Sequence, residues 1–155
     1  MNVHICWEGN LRKLLRIMSG NINLTVCGVV ESWLREGRYY MDNELSGSDF
    51  VWIGKDRPRR RKGGGIGFLV RRECKAKVAK ISASESILWI VMDWGAGAKL
   101  FCAVVYLVPK DPEDSNDVAI KELQQDVLTF RKLGRTIVIG DFNARVGNYQ
   151  TLLQI

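Results

Sequence analysis

This sequence predicts a layered α/β domain, on three observations. Short β-branched apolar runs stop abruptly at polar residues, one long helical repeat stands among them, and the connections are only a few residues long. The chain has 155 residues, of which 46% are apolar, enough for one domain with a real core. No internal repeat, low-complexity tract or interdomain linker interrupts it, so residues 1–155 read as a single unit.

Residues 1–7 (MNVHICW) alternate loosely, as a first strand would. Asn10 then stands as an N-cap before Leu11, Leu14, Leu15 and Met18 at helical spacing, with Gly20 at C′, so a short helix is expected over about 11–19. Residues 24–30 (LTVCGVV) form an apolar run that ends on Glu31. Loops with a short strand at 50–53 follow. Residues 57–62 (RPRRRK) and the triglycine 63–65 make a basic loop before the apolar segment 66–70. Residues 75–81 and 87–94 read as further strands, and Gly95 to Gly97 turn the chain into a hairpin with 100–105. Residues 100–108 (LFCAVVYLV) are strongly apolar, carry Tyr106 near their end, and are stopped by Pro109.

Past a polar loop, Ser115, Asn116 and Asp117 compete as caps. Ile120, Leu123, Val127 and Phe130 repeat at helical spacing, with Leu133 extending the face and Gly134 closing a helix over about 117–133. A two-residue connection leads into Thr136, Ile137, Val138 and Ile139, which read as a strand buried on both faces, with Gly140 letting the backbone turn at its end.

The net charge of +6 is uneven. Residues 1–80 hold 16 Lys and Arg against 8 Asp and Glu, while 81–155 hold 7 against 9, so any affinity for polyanions belongs to the first half. Arg57, Arg59, Arg60, Arg61 and Lys62 are the natural contacts for a nucleic-acid backbone; a solvated hairpin tip or a nuclear-localisation patch has the same composition. No GKS or GKT follows the glycines and no GxGxxG spacing is present, so nucleotide-loop signatures are absent. Cys6, Cys27, Cys74 and Cys102 show no CxxC spacing and His4 is the only histidine, which disfavours zinc and points to free thiols in a reducing compartment. No apolar run reaches membrane length and the N-terminus has no signal-peptide core, so an intracellular protein, nuclear or cytoplasmic, is expected.

Three strands thus end in polar groups of related chemistry: Glu31, Tyr106, and Asp141 with Asn143. If residues 141–143 stay extended, Asp141 and Asn143 leave on one side and Phe142 points to the core. A carboxylate and an amide held so can ligand a hard cation, position a water or take its proton. Singly, each has a bland reading as a turn, a helix cap or a core rim. Convergence at strand ends, where ligands of layered α/β sheets sit, is what would make them a site.

CGVVESWL, KGGGIGFLV, AVVYLVP and VIGDFNARVG, in this order, resemble the endonuclease/exonuclease/phosphatase superfamily, whose fold is DNase I-like, and specifically the endonuclease domains of non-LTR retrotransposons. The resemblance runs from about Asn2 to Gly147 and implies a DNase I-like layered sandwich. It implies Mg²⁺ (or Mn²⁺) held mainly by Glu31 with help from Asn2, Tyr106 on the scissile phosphate, Asp141 orienting or deprotonating the attacking water, and Asn143 beside the phosphate. Hydrolytic nicking of DNA, with RNA as another polyanion partner, is the implied activity, with Arg145 joining the basic loop as a nucleic-acid contact. Related domains continue past GDFN to an Asp-His pair that is absent here, so a sandwich incomplete at the C-terminus, weak or absent turnover, and self-association through an uncovered sheet face are expected. A second departure is mild: CGVV precedes Glu31 where related domains start the strand with an acid. The alternatives are a phosphoinositide or sphingolipid phosphatase of the same superfamily, a non-catalytic nucleic-acid-binding retroelement remnant, and an α/β domain whose strand-end acids are structural.

Overall fold

The computed structural model describes residues 15, 16, 20, 25–32, 34, 45, 47–56, 64–108 and 116–143. Seven strands lie within them: β1 (Val26–Val30), β2 (Phe50–Lys55), β3 (Ile66–Arg71), β4 (Val78–Ala83), β5 (Ile87–Asp93), β6 (Lys99–Tyr106) and β7 (Arg135–Asp141). One helix, α1 (Asp117–Phe130), stands between β6 and β7. β1, β3 and β2 form a three-stranded antiparallel sheet in that order, and β4, β5, β6 and β7 a four-stranded one. Among the described strands only β6 and β7 run parallel, which requires a crossover, and α1 supplies it.

Alternation along the strands gives each sheet two apolar faces, and the inner faces meet. Val30, Ile53, Ile66, Phe68 and Val70 of the first sheet pack against Leu88, Ile90, Met92, Cys102 and Val104 of the second. Each such fully buried side chain contributes about 1.5–3 kcal/mol, which makes this layer the main source of stability. On the outer face of the second sheet, Trp89, Phe101 and Val105 receive Leu123, Val127 and Phe130 of α1. The Phe130 ring stacks on Phe101 at 4.9 Å between centroids and meets Trp89 edge-on at 4.8 Å. On the outer face of the first sheet, Val29, Phe50 and Leu69 pack with Leu15, Leu34 and Leu45, and the Trp52 ring lies where a Cβ on Gly54 or Gly67 would be. Leu15 and Arg16 are helical and Gly20 donates its N–H to the Arg16 carbonyl, as the C-terminal turn of the first expected helix would; the rest of that helix and the strand expected at 1–7 lie outside the described residues.

Several expectations need correction. The segment expected as a strand over 75–81 begins with a 3-10 turn, Arg72–Lys77, and strand pairing starts only at Val78. α1 ends at Phe130, and Leu133 lies 59% exposed in the turn that follows, where Gly134 donates its N–H to the Phe130 carbonyl. Its core-facing row is Ala119, Leu123, Val127 and Phe130, while Ile120 is 39% exposed. β7 is not buried on both faces: it is a sheet edge among the described residues, and Ile137 is 47% exposed. Gly140 is not a turn after this strand but a residue within it, at φ 152°, where a Cβ would overlap the Val105 carbonyl of β6. No helix among the described residues is long and apolar enough to cross a membrane.

Candidate functional site

Glu31 follows the last residue of β1 in the left-handed region, at φ 51°, so the chain turns sharply as it leaves the sheet. A non-glycine residue there costs about 1–3 kcal/mol and persists only where its surroundings hold it. One restraint is visible: the Tyr106 hydroxyl, at the end of β6, donates to Glu31 Oε1. The two residues belong to different sheets, and Gly28 lets those sheets approach at this point. A Cβ on Gly28 would overlap Ile139 Cδ1 and come within 3.4 Å of Val104 Cγ2. β1 therefore lies directly over β6 and β7, and its end is delivered to theirs.

Asp141 is the register partner of Tyr106 across the parallel β6–β7 ladder. Neighbouring strands are about 4.8 Å apart, so the phenol and the carboxylate leave the sheet side by side, on the face that carries Val104 and Ile139. Asn143 is not extended. It sits at φ 42°, its backbone N–H donates to Asp141 Oδ1 at 2.9 Å, and its side-chain Nδ2 donates to the Leu107 carbonyl at 2.6 Å. This Asx turn braces the Asp141 carboxylate from behind and ties the segment after β7 to the segment after β6. Phe142, expected in the core, is 39% exposed because the turn carries it outward.

Glu31, Tyr106, Asp141 and Asn143 are thus brought together, from three strands and both sheets, although they span 113 positions of sequence (31 to 143). Asn2, Arg57, Arg59, Arg60, Arg61, Lys62 and Arg145 lie outside the described residues. The hairpin that carries 57–62 re-enters the first sheet beside the cluster: Gly64 and Gly65 have φ of 94° and 85°, and the Gly65 carbonyl accepts the Ser32 N–H at 3.0 Å. Ser32 is a residue that sequence reasoning passed over. It is 8% exposed, and its hydroxyl has no hydrogen-bond partner among the described residues. Gly28 was passed over too; its signal is a lone glycine inside the apolar run CGVV, a mark of close backbone approach.

The cluster offers oxygen donors. Among the described residues no three His, Cys, Asp or Glu side chains are grouped so that they could hold a metal ion by themselves. Two carboxylates with neutral oxygens suit a hard cation that keeps its waters, such as Mg²⁺, and do not suit zinc. The enclosed Ser32 hydroxyl beside Glu31 is a further polar atom that a cation-bound water could satisfy. Of the free thiols, Cys102 is buried in the inter-sheet core, and burial pushes it up to about 11; burial also raises Cys27.

No protein-family model matches this sequence, and no curated protein does. Solved structures do match in shape. ANGEL2, a 2′,3′-cyclic phosphatase, superposes with a TM-score of 0.59 at 16% identity, over 92% of this chain and 45% of that one. The fold is DNase I-like. The 3′ phosphatase NExo from Neisseria, bound to a product DNA hairpin, gives a TM-score of 0.59 at 14% identity, over 91% and 55% of the two chains. The AP endonuclease LMAP from Leishmania major gives 0.51 at 11% identity, over 81% and 43%. This chain therefore spans about half the length of the DNase I-like structures it resembles.

Proposed function

We propose that this chain carries part of a divalent-cation-dependent phosphodiesterase domain that nicks DNA, of the kind found in non-LTR retrotransposon endonucleases. The observation that supports it most is the Tyr106 hydrogen bond to Glu31, with Asp141 as the register neighbour of Tyr106. The two carboxylates and the phenol stand near one another at strand ends of a DNase I-like sandwich. The fold neighbours include a protein bound to a DNA product and an AP endonuclease, which supports nucleic acid as the substrate class.

In this reading Glu31 holds the Mg²⁺ or Mn²⁺, with Asn2 as a second contact. When bound, the ion neutralises charge that develops on the phosphoryl oxygens. Asp141, braced by the Asn143 N–H, takes the proton of the attacking water. The water oxygen forms the new bond to phosphorus as the ester P–O bond breaks on the opposite side, and the departing alkoxide takes a proton from solvent and leaves as the alcohol. Asn143 uses one side-chain N–H on Leu107 and has a second for the phosphate, whereas the single O–H of Tyr106 serves the phosphate only by turning to it from Glu31. Residues 57–62 and Arg145 neutralise flanking phosphates without reading sequence.

A second reading, a non-catalytic nucleic-acid-binding remnant, is favoured by the two-carboxylate cluster, to which no third acid or histidine is added among the described residues. Conversion of supercoiled plasmid to nicked circles, with and without Mg²⁺, beside a filter-binding measurement, separates the two. Mg²⁺-dependent nicking that Glu31→Gln abolishes supports the enzyme. Binding with no nicking at any Mg²⁺ concentration supports the remnant and sinks the catalytic proposal for this polypeptide.

A further inference from the structure

Two buried polar side-chain atoms have no hydrogen-bond partner among the described residues, Trp89 Nε1 and Ser32 Oγ. Trp89 belongs to the apolar layer under α1, with the Phe130 ring edge-on to it. Ser32 directly follows Glu31, and it is enclosed by the chain itself at 8% exposure.

The backbone explains how a serine comes to stand there. The β1–β3 register pairs Val30 with Ile66, so one further step sets Glu31 opposite Gly65. The Ser32 N–H bonds the carbonyl of that same Gly65 at 3.0 Å, and Glu31 has a left-handed φ of 51°. Two residues leaving β1 thus oppose one residue before β3, as in a bulge whose first residue is left-handed. Bulges of this kind re-aim side chains and occur beside sites. With its N–H tied to Gly65, Ser32 has a fixed backbone. Its hydroxyl is aimed only by rotation about the Cα–Cβ bond, among three staggered positions.

In the ligand-free chain a serine is the less favourable choice at this position, because a buried hydroxyl without a partner is destabilising and alanine would fill nearly the same space without it. A partner arrives with the ion. Mg²⁺ is held by one or two carboxylates and keeps several of its waters, and the groups that accept from such outer partners tune metal affinity. A hydroxyl offers two lone pairs for this. We infer that Ser32 Oγ accepts a hydrogen bond from a water of the cation that Glu31 holds, which makes Ser32 a positioning residue for the ion. This inference rests on the cation site proposed above, and adds to it a neutral residue that contributes no charge.

The test is thermal unfolding of residues 1–155 over a range of Mg²⁺ concentrations, with Mg²⁺ itself as the probe and Glu31→Gln as the reference for non-specific salt effects. An ion that binds the folded chain raises its unfolding temperature with concentration, so one experiment reads both metal-free stability and affinity. Ser32→Ala should unfold without Mg²⁺ at or above the native temperature, and should need about 10- to 100-fold more Mg²⁺ for the same rise. Ser32→Thr, which keeps the hydroxyl, should respond to Mg²⁺ closer to the native chain than Ser32→Ala does. The Mg²⁺ concentration for half-maximal nicking should move by the same factor as the affinity. A Ser32→Ala chain that responds to Mg²⁺ as the native chain does, while Glu31→Gln loses the response, overturns this inference and leaves the cation site standing. Ser32→Ala that unfolds well below the native chain without Mg²⁺ also overturns it, because the hydroxyl then serves the fold. A native chain with no response to Mg²⁺ beyond that of Glu31→Gln removes the cation site and this inference together.

Discussion

Tyr106 does two jobs that a phenylalanine could share only in part. Its ring is 8% exposed within the inter-sheet core, and its hydroxyl holds Glu31 in a left-handed conformation at the rim of that core. Tyr106→Phe should therefore keep the fold, lower stability by about 1–2 kcal/mol through one lost hydrogen bond to a charged group, and slow nicking by about 10²- to 10⁴-fold. Thermal unfolding and a nicking time course read the two effects separately. Cys102 gives a second expectation at this scale. Its pKa in the folded chain is about 11 against an ordinary 9.0, so folding favours the thiol. That contribution is complete below pH 9 and is lost as pH rises towards 11. Denaturation midpoints should fall across this window in the native chain and fall less in Cys102→Ala, and Cys102 should resist alkylation at pH 8 until the chain unfolds.

At the scale of elements, the site depends on how closely β1 lies over β6 and β7. Gly28→Ala introduces a Cβ that only Ile139 can make room for, by moving Cδ1, the far end of its side chain. Overpacking here should cost about 1–3 kcal/mol, and removing that methyl with Ile139→Val should recover part of it, a coupling that a double-mutant cycle measures. Nicking should follow stability in this cycle, since the same displacement shifts Glu31 from Tyr106. Which elements can be read from the residues follows from what sets them. Glu31, Tyr106 and Asp141 are legible as strand ends because β-branched runs stop there, and their residue types carry the resemblance to the DNase I-like fold. The exposure of β7 is not legible, because TIVI reads the same in a central strand and an edge strand; position in the sheet is a property of the whole fold. Nor is the Asx turn at Asn143, whose left-handed backbone reverses the direction alternation assigns to Phe142. The 3-10 turn at Arg72–Lys77 is missed because RECKAK carries no periodic signal of either kind.

For the whole molecule, charge matters most. The segment that contains residues 57–62 is anchored by Lys55 and Ile66, the latter paired with Val30 and next to the Gly65 carbonyl that accepts from Ser32, so a polyanion held by it would lie near the cluster. Replacing Arg59, Arg60 and Arg61 with Ala should flatten the salt dependence of DNA binding by close to three phosphate contacts, about 2.7 units of slope for duplex DNA; an unchanged slope would place the loop away from the ligand. The chain spans about half the length of the DNase I-like structures it resembles.

If the strand-end cluster from both sheets serves one divalent cation, Mg²⁺ binding by titration calorimetry on the substrate-free chain reads it without reference to turnover. One site per chain is expected in the native protein, lost in Glu31→Gln and weakened in Asp141→Asn, with both variants folded by circular dichroism. Mg²⁺ binding that survives unchanged in Glu31→Gln, or no binding by a chain folded as described, would contradict it.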